Sequence, residues 1–414
     1  MRPDTDTKRR VVVTGLGAVT PLGLTVEDFW NGLVSGKSGI DYITLFDATS
    51  YPVKIAAEVK GFDPTLYMDE KRADRTGRCT QFAIAAAKMA MNAAKLDMTR
   101  EQSERVGVII ATSGMVSTLI DHADTIKSRP KRIDPLFIPK MAPSMVTSQL
   151  ALDIGARGPN TSINSACASG SDAIGLAMNH ILLGNADVII AGGTEANINP
   201  VAIATMARVG ALSLEPDPKK ASRPFDLNRS GFVYGEGAGI LILESLEHAL
   251  NRDAPILAEL AGVGWSFDAY NDTAPDPNIE ALAIKAALNN AGLLPQHIDY
   301  INAHGTSTKL NDAAETQAIK MVFGDHAYRV PISSNKSMIG HLACAAGAVE
   351  AVAAVMTIRE GIIPPTINLE TPDPECDLDY VPNKARRRAV NTCLSNSFGM
   401  GGQNCCLVFK KFSR

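Results

Sequence analysis

Asn160–Gly184 reads NTSINSACASGSDAIGLAMNHILLG. A strand ends at Ser165, a run of small residues follows, and an amphipathic helix runs to a glycine stop at Gly184. Cys167 therefore falls on a sharp strand-to-helix turn, at or just before the helix N-terminus. Unpaired backbone N–H groups and the helix dipole favour a thiolate there. Ala166, Ala168, Ser169 and Gly170 are small and leave room for a carbonyl to approach. The pattern is that of a nucleophile elbow with sulfur in place of oxygen. Most free cysteines are instead buried core residues, so the turn alone leaves both readings standing.

Outward from this segment, short β-branched runs alternate with alanine-rich stretches, the pattern of parallel sheets covered on both faces. Arg10–Thr14, Val106–Ala111, Asp187–Ala191 and Gly239–Leu243 form one series of predicted strands. Ile256–Leu260, Asp299–Asn302, Val330–Ser333 and Thr392–Ser397 form a second. Helical patterns fall at Asn278–Ala291, Asp312–Val322 and Gly347–Ile358. The predicted organisation is one compact α/β body of two comparable halves, residues 1–254 and 255–414. Ser113–Ser144 is expected to form a surface cap, and the stretches Asp268–Asn278 and Ile363–Glu375 are Pro/Asp-rich loops.

Composition narrows the function. The 414 residues are 45% hydrophobic and 20% charged, with a net charge of −4. Without a global basic field, nucleic acid is not an expected partner. The seven cysteines are scattered and lack C-x-x-C pairs, which argues against a disulfide framework and a structural zinc site. No metal is expected. The opening MRPDTDTKRR has no apolar stretch, and the alanine-rich run Ala343–Met356 is interrupted by Glu350 and too short for a span. A soluble protein of a reducing cytoplasm, without membrane insertion, is the expectation.

Two of the seven histidines stand out. His304 ends an apolar strand in Tyr300–Thr308, YINAHGTST; His341 closes SNKSMIGH, where Gly340 permits a tight turn before a helix. Strand ends are where α/β sheets place reacting groups. Asn396–Gly402, NSFGMGG, is another strand-end turn, whose glycines would let backbone N–H groups face inward as an oxyanion site or simply link two strands. Gly15-Leu-Gly17 follows a strand, but Thr20 stands where a dinucleotide-binding loop needs its third glycine. Lys71, Arg72, Arg75, Lys131 and Arg132 could receive an acidic partner; the residues alone favour a solvated face.

Together these motifs closely resemble the elongating β-ketoacyl-[acyl carrier protein] synthases of type II fatty-acid synthesis, members of the thiolase superfamily. The likeness runs end to end, through RRVVVTGLGAVTPLG, ASRPFD with GFVYGEGAG, INAHGTST, SNKSMIGHL and PDPECDLDYVPN. It implies a thiolase-like fold, two βαβαβ-type halves in α-β-α-β-α layers, and a homodimer. It implies Cys167 as the nucleophile that takes the acyl chain, with His304 and His341 meeting the malonyl thioester carbonyl. The backbone N–H groups of Cys167 and Met400 would hold the oxyanion. Lys336 would sustain a charge network, with Glu315 as its partner and Asp312 nearby. Thr306 and Thr308 would bond the pantetheine arm, Phe398 would support the site, and Met400 would be the gate. The partner implied is acyl carrier protein, landing on Lys71, Arg75, Lys131 and Arg132. No cofactor is implied beyond the carrier's own 4′-phosphopantetheine.

The chain departs from the family pattern at several positions. Met400 replaces the usual gate phenylalanine, Gln403 a threonine, Asn335 a threonine, and Lys309-Leu310 a proline-containing pair. Ala111–Val116 replaces a glycine-rich wall of the acyl pocket, and Asp74 a further basic residue. These changes bear on the acyl chain accepted and keep a specialised polyketide or polyene ketosynthase as the alternative. A thiolase is a weaker one, because Phe398 stands where it would carry a second cysteine. The priming synthase pairs one His with one Asn, and a chain-length partner subunit would lack Cys167.

Overall fold

A computed structural model describes residues 9–413. The expectation that the chain opens without a secretory signal falls mainly on residues outside that range. The N-terminal portion contributes β1 (Val11–Val19), β2 (Val106–Ala111), β3 (Asn160–Ile163), β4 (Val188–Glu195) and β5 (Gly237–Ser245). The C-terminal portion contributes β6 (Ala258–Phe267), β7 (Tyr300–Asn302), β8 (Ile332–Ser333), β9 (Thr392–Phe398) and β10 (Gln403–Lys410). The strand order is β3-β2-β4-β5-β1, continued by β6-β10-β9-β7-β8. The two sets join where Val11–Val13 pair antiparallel with Ala258–Leu260.

Each set repeats one pattern. In the first, β3, β2 and β4 run parallel while β5 and β1 pair antiparallel. In the second, β8, β7 and β9 run parallel while β10 and β6 pair antiparallel. The sheet is therefore mixed, which corrects the expectation of purely parallel sheets. Continuous apolar runs mark burial on both faces, and an antiparallel strand between two helical layers is buried as fully as a parallel one.

The main helices are α1 (Arg78–Ala93), α2 (Pro143–Ile154), α3 (Ser169–Leu182), α4 (Pro277–Ala291), α5 (Lys309–Phe323) and α6 (Ala346–Glu360). α1 and α2 cover the outer face of the first strand set, α4 and α5 that of the second, and α3 and α6 lie between the sets. This is the α-β-α-β-α order. Three apolar clusters fill the gaps: Ile174, Val349 and Leu241 belong to the central one, Phe82 and Ile242 to one flank, Ile284 and Leu394 to the other. Every residue of Ala346–Ile358 is buried, as a helix packed by sheets on both sides requires. Ser113–Ser144 forms the helix Val116–Ser128 and shorter pieces; most of it is at least partly exposed, as expected of a cap.

Candidate active site

The candidate residues follow the ends of β3, β7, β8 and β9. They meet in one cleft of about 360 Å³, lined by Cys167, His304, Thr306, Thr308, His341 and Met400 among others. Cys167 sits between β3 and α3, on a turn held by side chains. Ser169 Oγ accepts the Ser165 N–H at 2.8 Å and donates to the Ala166 carbonyl at 2.5 Å. Ala166 takes φ +50°, a strained value for a residue with a Cβ, immediately before Cys167 at the cleft wall. Cys167 is partly buried, whereas the other six cysteines are buried.

The expectation that the helix end favours a thiolate needs correction. Burial pushes the Cys167 thiol up, and this outweighs the Met400 backbone N–H and Lys336, which pull it down. The side chain rests as a thiol. α3 itself starts only at Ser169, with Ala168 as its cap, so Cys167 lies outside the first turn.

His304 is only 2% exposed. Its backbone N–H and that of Gly305 donate to the two carboxylate oxygens of Glu315, each at 2.8 Å. Asn396 Nδ2 donates to the same carboxylate at 3.0 Å. Lys336 Nζ lies beneath His304, 2.7 Å from its carbonyl oxygen and 3.3 Å from Nδ1. His341 Nδ1 accepts the Ala343 N–H at 3.2 Å. The two imidazoles stand 5.4 Å apart and nearly perpendicular. With both Nδ1 atoms accepting, each ring carries its proton on Nε2. Burial, reinforced by Lys336, holds both imidazoles well below the usual histidine range and therefore neutral.

The partner of Lys336 is Glu350 of α6, not Glu315. Glu315 is taken up by three donors around the His304 turn, and burial pushes its carboxyl to about 7. Asp312 is also not beside Lys336: it accepts the Phe225 N–H at 2.9 Å and the Ser307 N–H at 3.2 Å, and faces Arg229. It anchors the turn rather than the charge pair. Glu350 had a signal in the sequence, since a lone acid inside the run Ala346–Met356 of alanine, glycine and apolar residues demands a cation. It registered there only as a break in a hydrophobic run.

Thr306 and Thr308 place their hydroxyls 2.9 Å apart at the cleft wall. Phe398 packs 5.9 Å from the His304 ring. The loop after β9 lies against the cysteine turn: a Cβ on Gly399 would stand 2.9 Å from the Ser165 carbonyl oxygen. That closeness lets the Met400 N–H face Cys167, while the Met400 side chain is 42% exposed. Lys71, Arg75, Lys131 and Arg132 are exposed and do not line the cleft.

The β-ketoacyl synthase N-terminal domain model matches residues 8–249, and its C-terminal domain model residues 257–370. The chain is 50% identical over 410 residues to 3-oxoacyl-[acyl-carrier-protein] synthase 2 of Synechocystis sp., covering 98% of this chain and 99% of that one. It is 48% identical to the protein of the same name from Coxiella burnetii, with the same coverage. Among solved structures, the ishigamide ketosynthase/chain length factor superposes with a TM-score of 0.92 at 37% identity, covering 98% of this chain and 100% of that chain. A β-ketoacyl synthase from Burkholderia phymatum gives 0.91 at 34%, with the same coverage. Sequence, layered fold and cleft agree, and the chain belongs to the β-ketoacyl synthase family.

Proposed function

We propose that the protein is an elongating β-ketoacyl-[acyl carrier protein] synthase that catalyses decarboxylative condensation. The observation that carries this reading is the pair of neutral histidines sharing one cleft with Cys167, each with Nδ1 engaged and an Nε2–H left to donate. Acyl transfer comes first: Cys167 sulfur attacks the thioester carbonyl of the acyl carrier protein, the C–S bond to pantetheine breaks, and the freed thiolate takes up the cysteine's proton. Malonyl thioester then enters, its carbonyl oxygen toward His304 and His341. Its C–C bond to the carboxylate breaks, CO2 leaves, and the electron pair passes into an enolate whose oxygen takes two N–H bonds. Removing one donor preset toward such developing charge costs about 3–4 kcal/mol in acyl-transfer enzymes with an oxyanion hole. The enolate carbon attacks acyl-Cys167, whose oxyanion accepts the N–H groups of Cys167 and Met400. Collapse expels the Cys167 thiolate and releases 3-oxoacyl-carrier protein.

The accessory assignments rest on position. Lys336 orients His304 through its carbonyl and Nδ1; Thr306 and Thr308 receive the pantetheine arm; Met400 gates the cleft; no cofactor is required. Lys71, Arg75, Lys131 and Arg132 receive the acidic carrier, and two chains pair as a homodimer in the cytoplasm. No described helix is long and apolar enough to cross a membrane. Met400 supports a second reading, a ketosynthase of a specialised pathway; one solved relative is described as a type II polyketide ketosynthase bound to the hexaketide with its acyl-carrier protein. Incubation with acyl- and malonyl-carrier protein tests the reaction: 3-oxoacyl-carrier protein and CO2 should form in equal amounts. Acyl exchange without CO2 release would sink it.

A further inference from the structure

Glu280 is a buried acid with no assigned role. It lies in the first turn of α4, is fully buried, and lines the same cleft as Cys167 and His304. Neither of its carboxylate oxygens has a hydrogen-bond partner. Other fully buried glutamates near the site each have a partner: Glu315 has three N–H donors, Glu195 has Ser113, Asn197 and the Ala196 N–H, and Glu350 has Lys336 on one oxygen. An unmet buried carboxyl destabilises a fold, so one retained in a cavity wall calls for a ligand.

Register indicates what surrounds it. Phe398 pairs with Asn404 across β9 and β10, and Asn404 pairs with Ser266 of β6. Side chains of directly paired residues share a face, and Phe398 belongs with Ile284 of α4 to the outer apolar cluster. Glu280 therefore lies on the Phe398 and Asn404 side of the sheet. Asn404 Nδ2 is committed to Asp268 Oδ1 at 2.6 Å and Ser266 Oγ at 3.2 Å. The charged groups that act most strongly on Glu280 are acidic, Glu315, Asp268 and Asp276, and Lys309 also lines the cleft. Burial and these acidic neighbours raise its carboxyl well above the usual carboxylate range and so favour the protonated form. Among the described residues no three His, Cys, Asp or Glu side chains are arranged to hold a metal. A neutral carboxyl offers one O–H donor and a carbonyl acceptor, a match for a hydroxyl or carbonyl group and for nothing on a saturated chain.

We propose that Glu280 is a specificity-determining residue of the cleft, its carboxyl group hydrogen-bonding a hydroxyl or carbonyl oxygen borne on the carbon chain of the substrate. This rests on the condensing activity proposed above, and it deepens that reading to acyl units carrying an oxygen function. An apolar pocket discriminates weakly against an added hydroxyl, whereas a site built to bond one discriminates strongly against its loss.

The test is kcat/KM for carrier-bound chains of one length, saturated or bearing one hydroxyl or oxo group at successive carbons. The wild type should favour at least one oxygenated chain about tenfold or more over its saturated counterpart. Glu280→Gln keeps a donor and an acceptor and should keep most of that ratio; Glu280→Leu should bring it near one. If Glu280→Leu fails to fold, Glu280→Ala carries the same expectation. The melting temperature of the folded variants should not fall, because no structural bond is lost. Equal treatment of every pair by the wild type, as a recess holding only water would give, overturns the proposal; so does a ratio that survives in Glu280→Leu. A uniform change in KM for malonyl-carrier protein, whatever the acyl chain, would assign Glu280 to the malonyl group and also overturn it. If no chain acylates Cys167, the condensing activity falls first, and mass analysis of the enzyme separates that result from the others.

Discussion

Glu350 and Lys336 form a fully buried ion pair, at 0% and 1% side-chain exposure, and the pair holds the ring of His304 from below. Removing one member of such a pair leaves an uncompensated charge and typically costs about 3–5 kcal/mol. Glu350→Ala should therefore lower the unfolding free energy by roughly that amount, measured by denaturant titration. A variant within about 1 kcal/mol of the wild type would contradict the pairing, since surface-like substitutions fall in that range. That Cys167, His304 and His341 share one cleft was legible because each sits in a short polar or glycine-bearing turn at the end of an apolar run. The partner of Lys336 was not legible, because Glu350 on α6 and Lys336 in the turn after β8 are brought together only by tertiary packing. Glu315 lies close to His304 in sequence and bonds its backbone instead.

At the level of elements, α3 and α6 approach backbone to backbone. A Cβ on Gly170 would stand 2.6 Å from the Ala348 nitrogen and 3.1 Å from the Cys344 carbonyl oxygen. Gly170→Ala should thus destabilise by about 1–3 kcal/mol, the range for overpacked cores; thermal unfolding that matches the wild type would mean that the central layer is looser than this contact implies. The loop 399–402 carries Met400, the gate of the proposed function. Met400 has three rotatable bonds and no rigid ring, so Met400→Phe should retain short acyl chains and narrow tolerance for long or branched ones. Superimposable chain-length profiles of kcat/KM would move specificity to the pocket wall near Ala111–Val116. The strand Val106–Ala111 was legible to the residue because it is an aliphatic and β-branched run broken only by Gly107. β10 was not placed beforehand: Gln403-Asn404-Cys405-Cys406 resembles a loop, yet the strand pairs with both β9 and β6 in the interior of the sheet. Asn404 is satisfied by Ser266 and Asp268, neighbours that local sequence does not reveal.

Across the whole molecule, buried acids set the response to pH. Burial raises Glu195 from 4.5 to about 7, with Ser113 and Asn197 opposing the shift. Its folded-state pKa lies above the unfolded one, so its contribution to stability is full below about pH 4.5 and lost as pH rises to about 7. Glu195→Gln does not titrate and should gain on the wild type across that window by about 3 kcal/mol, read from unfolding at pH 4.5 and pH 8. An offset identical at both pH values would refute the shift. His304 and His341 act in the opposite sense: lowered in the fold, they withdraw stability as pH falls below about 6.5. The exposed Lys131 and Arg132 stand on a chain of net charge −4, so a basic landing site would be local. Charge reversal at both should raise KM for carrier-bound substrate and flatten its salt dependence, because such contacts are screened over about 8 Å at physiological ionic strength; unchanged values would return them to a solvated face. The central claim is that Cys167 carries the acyl chain while the two histidines drive loss of CO2. The most direct measurement runs the two half-reactions separately, with enzyme-bound acyl groups read by intact mass and CO2 release from carboxyl-labelled malonyl-carrier protein. Cys167→Ala should gain no acyl mass, whereas His304→Ala and His341→Ala should gain it and release CO2 at least about a hundredfold more slowly than the wild type. Acylation of Cys167→Ala, or undiminished CO2 release by both histidine variants, would contradict the account.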